Sequence, residues 1–344
     1  MRDGKGWRDQ RGGAVRSVVV FLAAIALLAA AAIGAGGYFA YREAVREGPH
    51  ETAAVVLLEP GSSVARIADQ LVEAGVIRNA DLFAAAARVK RVEAALKAGE
   101  YEIPARASTI DVLDLLVSGR SILHSFTAPE GRTTAQILRL MQESATLEGE
   151  ITLAPGEGRL LPETYKYTRG MTRDALIESM MKAQQDLLDE IWDGRALELP
   201  FATREEALIL ASIVEKETAL PEERSRIAAV FVNRLKRGMR LESDPTIIYG
   251  LTGGEPLGRG IRLSELRRET PYNTYVIFGL PPTPIANPGR ESIEAVLNPL
   301  ETDEIFFVAD GSGGHVFAST LDEHNRNVAQ WRRLEREAQQ QGGR

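Results

Sequence analysis

The 344-residue sequence has no cysteine, only four histidines and few aromatics, 6% in all. The absence of cysteine excludes a disulfide framework and thiolate metal sites, so the folded part must rest on an ordinary apolar core. His50, His124, His315 and His324 lack metal-ligand spacing, and neither a metal nor another cofactor is expected. "GLTGGEPLGRG" is rich in glycine but has no Gly-Lys-Ser/Thr ending, which argues against phosphate binding. No Gly-x-Ser-x-Gly elbow is present for a serine hydrolase. Positive charge is also scarce outside the N-terminus. The first 16 residues carry Arg2, Lys5, Arg8, Arg11 and Arg16 against Asp3 and Asp9, and subtracting this +3 from the total of −7 leaves −10. Nucleic acid and anionic lipid are therefore unsuited as main partners.

What the sequence does have begins with "SVVVFLAAIALLAAAAIGAGGYFAY", Ser17 to Tyr41, a run of 25 residues without a charge. At about 1.5 Å per residue it spans a hydrocarbon layer of roughly 30 Å with some tilt, and it reads as a transmembrane helix over 17–41. The basic flank on its N-terminal side places residues 1–16 in the cytoplasm and everything after about residue 42 outside. A cleaved signal peptide is the alternative, with a shorter apolar core and a small-residue cleavage site as its signature.

The remaining length suits two folded units. "TAAVVLLEPGSSVARIADQLVEAGVI" reads as a strand, a Pro-Gly turn and a helix on which Val64, Ile67, Ala68 and Leu71 have helical spacing, with Ser62 or Ser63 as N-cap. A second helix starts at Asn79, "LKAGEYEIP" alternates like a strand, and "STIDVLDLLVSG" adds a helix. "HSFTAPEGRTTAQILRLMQES" and "PETYKYTRGMTRDALIESMMKA" follow as a loose copy, open between duplication and coincidence.

From Thr203 the character changes. "TREEALILASIVEKETAL" opens with a capping box, Thr203 and Glu206, and is expected to run to Pro221, the first position of the next helix, which closes at Gly238. Loops dense in Gly, Pro, Asn, Thr and Tyr come next, then a hairpin in "EIFFVADGSGGHVFAS" and a polar helix from about Leu321.

Glu215 and Glu217 end the apolar run "ILASIVEKE". At about 100° per residue Leu210, Ile213, Val214 and Glu217 share a stripe, whereas Glu215 lies about 160° away with Leu208, Ala211 and Ser212. The two therefore do not flank one scissile bond. Burial and the negative end of the helix dipole both raise the pKa expected of Glu217, and a carboxylic acid protonated near neutral pH can donate a proton to a leaving oxygen. Helix geometry alone leaves Glu217 open between that role, a solvated helix end and an ion pair with Arg224.

Several stretches together, "LASIVEKET", "VFVNRLKRGMRLESDPTIIYG", "TPYNTYVIFGLPPTPIANPG" and "FVADGSGGHVF", resemble the membrane-anchored endolytic murein transglycosylases, the YceG-like or MltG family. The resemblance covers nearly the whole chain. It implies an α+β architecture: one transmembrane helix, a small LysM-like βααβ module over 42–120, and a mixed α+β lytic transglycosylase domain over 121–344. It departs from the family pattern at "GRLLPETY", where relatives tend to carry aromatics before the proline and Asp in place of Glu163.

The resemblance also implies cleavage of the β-1,4 bond between N-acetylmuramic acid and N-acetylglucosamine in nascent peptidoglycan, leaving 1,6-anhydro ends. Glu217 matches the family's essential glutamate. The muramic 6-hydroxyl would be the nucleophile, so a second catalytic carboxylate is not needed. Asp244, Thr246, Tyr249, Tyr272, Asn273, Thr274, Tyr275 and His315 are the candidate substrate-binding residues, each open to a plain structural role. Asp310 in "ADGSGG" suits a turn. Expected partners are glycan strands and the inner membrane, with peptidoglycan synthases as further candidates. The alternatives are a non-catalytic peptidoglycan-binding scaffold and a hydrolytic muramidase.

Overall fold

A computed structural model describes residues 9–342, with side chains over 16–337. Helix α1 (Asp9–Ala44) includes a 29-residue span, Arg16–Ala44, with an 18-residue stretch of mean hydropathy 2.8 that none of the other described residues covers. Length and composition fit a single-pass membrane anchor, and fit a signal sequence equally. Of the expected tail 1–16, residues 1–8 lie outside the described residues.

Two compact units follow by contact, one reaching to Leu123 and taking in Thr168–Gly170, the other formed by His124–Tyr167 and the chain from Met171. In the first, strand β1 (Ala54–Leu58) pairs antiparallel with β2 (Gly99–Ile103), Ala54 opposite Ile103. Between them lie α2 (Val64–Glu73) and α3 (Ala80–Lys90), and α4 (Thr109–Ser118) closes the unit. Short polar side chains set each start. Ser63 accepts from Arg66 N, Asn79 accepts from Leu82 N, and Ser108 forms a capping box with Asp111. Val56, Leu58, Ile67, Leu71, Phe83, Tyr101 and Leu113 make the core of this unit.

The second unit opens with the same βα rhythm. Strand β3 (His124–Thr127) pairs antiparallel with β4 (Thr164–Tyr167), and each leads to a helix, α5 (Thr134–Gln142) and α6 (Arg173–Ile191). Where the first unit has α3, residues 143–163 form helix-free backbone, so the internal similarity holds for the strand pair and the helix after each strand, without a counterpart of α3. Phe126, Ile137, Met141, Leu160 and Met180 fill one core here, and α6 carries Leu187 and Leu188 into a second.

That second core is built on α7 (Arg204–Glu217) and α8 (Pro221–Lys236). The α7 capping box forms as expected, with Thr203 and Glu206 exchanging bonds of 2.9 and 3.2 Å. Its end differs from expectation. Thr218 turns to extended backbone (φ −140°, ψ 139°) and its hydroxyl accepts from Leu220 N, so the helix stops at Glu217 rather than running to Pro221.

The glycine- and proline-rich stretch after Gly238 is not all loop. It contains α9 (Asp244–Thr252), the short α10 (Leu263–Leu266) and α11 (Arg290–Leu297), and α11 packs on both α7 and α8. Strands β5 (Phe306–Ala309) and β6 (His315–Ala318) form an antiparallel hairpin, followed by α12 (Leu321–Gly342).

Candidate active site

Glu217 is the last helical residue of α7, and the N-terminus of α9 meets it there. Ser243 occupies the N-cap position of α9 but does not cap, because its hydroxyl donates to Glu217 Oε1. Asp244 and Pro245 start the helix behind it, proline being tolerated where the N–H has no helical partner.

Atoms packed around the carboxyl push Glu217 from the ordinary 4.5 up to about 7; burial is the main cause and the Asp244 charge adds to it. The Ser243 hydrogen bond, His315 and Arg234 pull the other way and lose. A group poised near 7 is divided between acid and base at neutral pH, the condition for giving a proton and then taking one. With Ser243→Ala the strongest of these opposing effects is removed. The alkaline limb of any Glu217-dependent activity is then expected to move to higher pH, with kcat at pH 6 kept within about tenfold. A pH–rate series on the two proteins checks this, and an unmoved limb contradicts it.

Arg234 holds the strand of chain that delivers Ser243. Its guanidinium donates to the carbonyls of Ile305, Arg240 and Leu241 and pairs with Glu242 at 3.1 Å. From the other side Thr274 Oγ1 accepts from Ser243 N at 2.9 Å and meets Thr246 Oγ1 at 2.8 Å, while Thr246 donates to Ser243 O. Thr246 and Thr274 are fully buried. Asn273, also buried, donates to the carbonyls of Glu265, Leu266 and Arg268 and accepts from Tyr275 N. The polar groups of these three residues are thus engaged within the protein, Thr246 and Thr274 on the Ser243 turn and Asn273 on the loop that carries Thr274.

The other expected residues are distributed as follows. Tyr275 donates to Asp244 Oδ1 at 2.8 Å, and burial pushes its phenol well above the ordinary value, with the charges of Asp244 and Glu217 adding. Asp244 is exposed. Tyr249 and Tyr272 meet edge to face at 4.9 Å; Tyr249 donates to Glu157 and Tyr272 pairs with Thr283. His315 Nδ1 lies 2.7 Å from Glu223 Oε2, and its charge bears on Glu217. Asp310 closes the β5–β6 turn on Ser312. Among the described residues no group of three His, Asp or Glu is arranged to hold a metal ion.

Glu215 is also covered, its side chain only 5% exposed, because α8 and α11 pack on the face that projection left open. It accepts from Gly289 N at 3.0 Å and lies 3.9 Å from Arg224, which also engages Glu130 and Glu291. A cavity of about 660 Å³ borders Arg224 and Glu291, away from Glu217. Arg224 thus serves Glu215, and Glu217 has no ion pair among the described residues.

Two residues outside the expected set, the half-buried Glu157 and the fully buried Asn287, tie the site to the first part of its unit. Glu157, whose carboxyl is raised by burial, accepts from Thr134 N at 2.7 Å, from Asn287 and from Tyr249. Asn287 accepts from Leu160 N and donates towards Arg132 O, Thr134 and Glu157. Beside them Gly158 has φ +78°, and a Cβ there would stand 2.7 Å from the Pro284 ring. Gly158→Ala is expected to cost about 2 kcal/mol, read as a fall in thermal midpoint; an unchanged midpoint contradicts the close approach. The sequence signal that could have found these residues is their setting: an acid between two glycines in "PGEGR" and an asparagine before proline in "IANPG".

A model of the YceG-like family matches residues 56–330. A protein of Streptococcus pneumoniae called endolytic murein transglycosylase is 31% identical over 366 residues, covering 91% of this chain and 64% of its own length. This chain therefore spans somewhat less than two thirds of that relative. A Bacillus subtilis protein of the same name is 29% identical over 326 residues, covering 85% of this chain and 89% of its own. The crystal structure of a YceG-like protein from Listeria monocytogenes, 29% identical, covers 80% of this chain and 99% of its own at a TM-score of 0.49. The family match takes in most of the chain, from β1 into α12, and the protein belongs to the YceG-like family.

Proposed function

We propose that this protein is a lytic transglycosylase that cuts peptidoglycan glycan strands endolytically, with Glu217 as the one catalytic residue. The observation that carries this reading is a single carboxyl, raised to about 7 and without a cationic partner, at the junction of α7 and α9. The names of the relatives support the substrate class.

In the proposed reaction protonated Glu217 gives its proton to the β-1,4 glycosidic oxygen between N-acetylmuramic acid and N-acetylglucosamine, and that bond breaks. The resulting carboxylate takes the proton of the muramic 6-hydroxyl as its oxygen bonds to the anomeric carbon. The product ends in 1,6-anhydro-N-acetylmuramic acid, Glu217 is protonated again, and no water is consumed. Ser243 orients the carboxyl, and His315 and Arg234 favour the anion formed midway. Tyr275 and Asp244 border the acid as substrate contacts, Tyr249 and Tyr272 stand further along the site, and the buried Thr246, Asn273 and Thr274 position Ser243 rather than touch sugar. Cutting a growing strand in this way would end its elongation.

In this reading α1 anchors the chain in the inner membrane with its N-terminus cytoplasmic, residues 42–120 form a LysM-like module, and residues 121–344 carry catalysis outside. Wall synthases are then the natural protein partners. The Asp244 charge beside Glu217 favours a second reading, a hydrolytic muramidase in which Asp244 assists water.

One experiment separates these readings. Detergent-solubilised full chain, and its Glu217→Gln variant, are incubated with uncrosslinked glycan strands and the ends analysed by mass spectrometry. Anhydro ends from the wild type alone are the expected result. Reducing muramic ends, heavier by one water, indicate the muramidase, and uncut strands leave only a scaffold that binds peptidoglycan.

A further inference from the structure

Lys216 lies between the two glutamates and forms an ion pair with neither of them among the described residues. Its ammonium donates to the Gly131 carbonyl at 3.2 Å. Gly131 stands at φ +68°, close enough that a Cβ there would touch the lysine stem at 3.6 Å. The loop thus supports the side chain along its length. That single bond leaves two of the three ammonium donors unused, and among the described residues Lys216 makes no ion pair. Partial burial lowers its pKa and the charge of Arg132 lowers it further, while the charge of Glu215 works the other way, and the residue as a whole stays exposed.

Lys216 lines a cavity of about 280 Å³ walled by Pro245, Ile248, Tyr249 and Ile285. Glu255 reaches the same cavity, but Arg139 already engages it. Of the two charged residues that line it, Lys216 is the one without an ion pair among the described residues. The cavity also starts one residue from Glu217, at Lys216, and one residue from Asp244, at Pro245. Its volume is below the roughly 300 Å³ where sites for drug-sized ligands begin, which suits a side group of the substrate rather than a pair of sugar rings.

We propose that this cavity receives a carboxylate hanging from the muramic acid residue at the scissile bond, with Lys216 as its ion-pair partner. The proposal rests on the peptidoglycan reading above. It makes Lys216 a specificity-determining residue that pairs with an anion as substrate binds, in a charge-assisted contact beside the apolar wall. The carboxylate has two sources: the peptide attached to the lactyl group, or the lactyl group itself where the peptide has been removed.

Three substrates test this on the full chain: strands with carboxylate-bearing peptides, the same strands with those carboxylates converted to amides, and strands stripped of peptide. The wild type is expected to show a KM about tenfold lower for the carboxylate-bearing strands than for the amidated ones. Lys216→Met is expected to lose that preference through KM, with kcat changed little, and Lys216→Arg to retain it. A low KM on the stripped strands as well assigns the lactyl carboxylate as the ligand. If the wild type does not distinguish the charged from the amidated strands, or if Lys216→Met still does, the proposal is overturned. A wild type that cuts none of the three fails at the functional reading instead.

Discussion

Glu217→Gln is expected to lower kcat by about a thousandfold, in the range found for removal of a positioned general acid, while making the protein more stable at pH 8. The two effects have one cause. The wild-type carboxyl titrates near 7 in the fold against an ordinary 4.5. A folded value raised in this way favours the fold fully below about pH 4.5, and the benefit is lost as pH rises through 7. Over that window the ionising carboxyl costs the folded state about 3 kcal/mol, an upper figure for a residue that keeps some solvent contact. Glutamine keeps the shape and the bond to Ser243 and never ionises. Denaturant titrations at pH 5 and pH 8 should therefore show the variant gaining on the wild type as pH rises. A variant that loses stability at pH 8, or keeps its activity, refutes the assignment.

Asn287→Ala should have the largest structural effect, about 3 kcal/mol. The side chain is fully buried, and its loss leaves Leu160 N without its acceptor and Glu157 without one of its donors. In a unit of this size that corresponds to a fall of roughly 6–10 °C in thermal midpoint. Asn287→Asp offers a sharper comparison. It places a second carboxylate about 3.2 Å from Glu157 Oε1, where the amide nitrogen now sits. Its cost should exceed that of alanine at pH 8 and shrink towards pH 4, because one of the two carboxyls can then hold a proton. Thermal melts at the two pH values read both variants. Equal midpoints for Asn287→Ala and the wild type would show that the junction carries no load.

Local chemistry made much of the fold readable. Ser63, Asn79 and Thr203 start helices because each answers an unpaired backbone N–H within four residues, and Pro221 starts α8 because it has no N–H to leave unpaired, both of which a sequence displays directly. The ends were harder. Thr218 stops α7 with a bond to Leu220 N and an extended backbone that no single residue announces. The helices α9 and α11 were hidden by the prolines and glycines before them, which read equally well as loop.

The helical projection separates Glu215 from Glu217 and sets only Glu217 on the covered side, but Glu215 is covered as well, since Ala207 to Val214 are all buried and α7 has no single apolar stripe. The difference lies in partners distant in sequence. Glu215 meets Gly289 N and Arg224, which suit an anion, whereas Glu217 meets a serine hydroxyl and the Asp244 charge. Ser243 carries no signal of its own beside Asp244, because its use is set by the approach of α9 to α7. The same holds for Asn287 and Glu157, whose shared bond joins segments 130 residues apart.

The central claim is that Glu217 is a carboxylic acid that titrates near neutral pH, with about half of it protonated there. The most direct measurement is a carbon-13 NMR titration of the glutamate carboxyls in the full chain, with Glu217→Gln used to assign the signal. The account predicts a resonance that disappears in the variant and titrates with a midpoint near 7. A midpoint below 5 would contradict it.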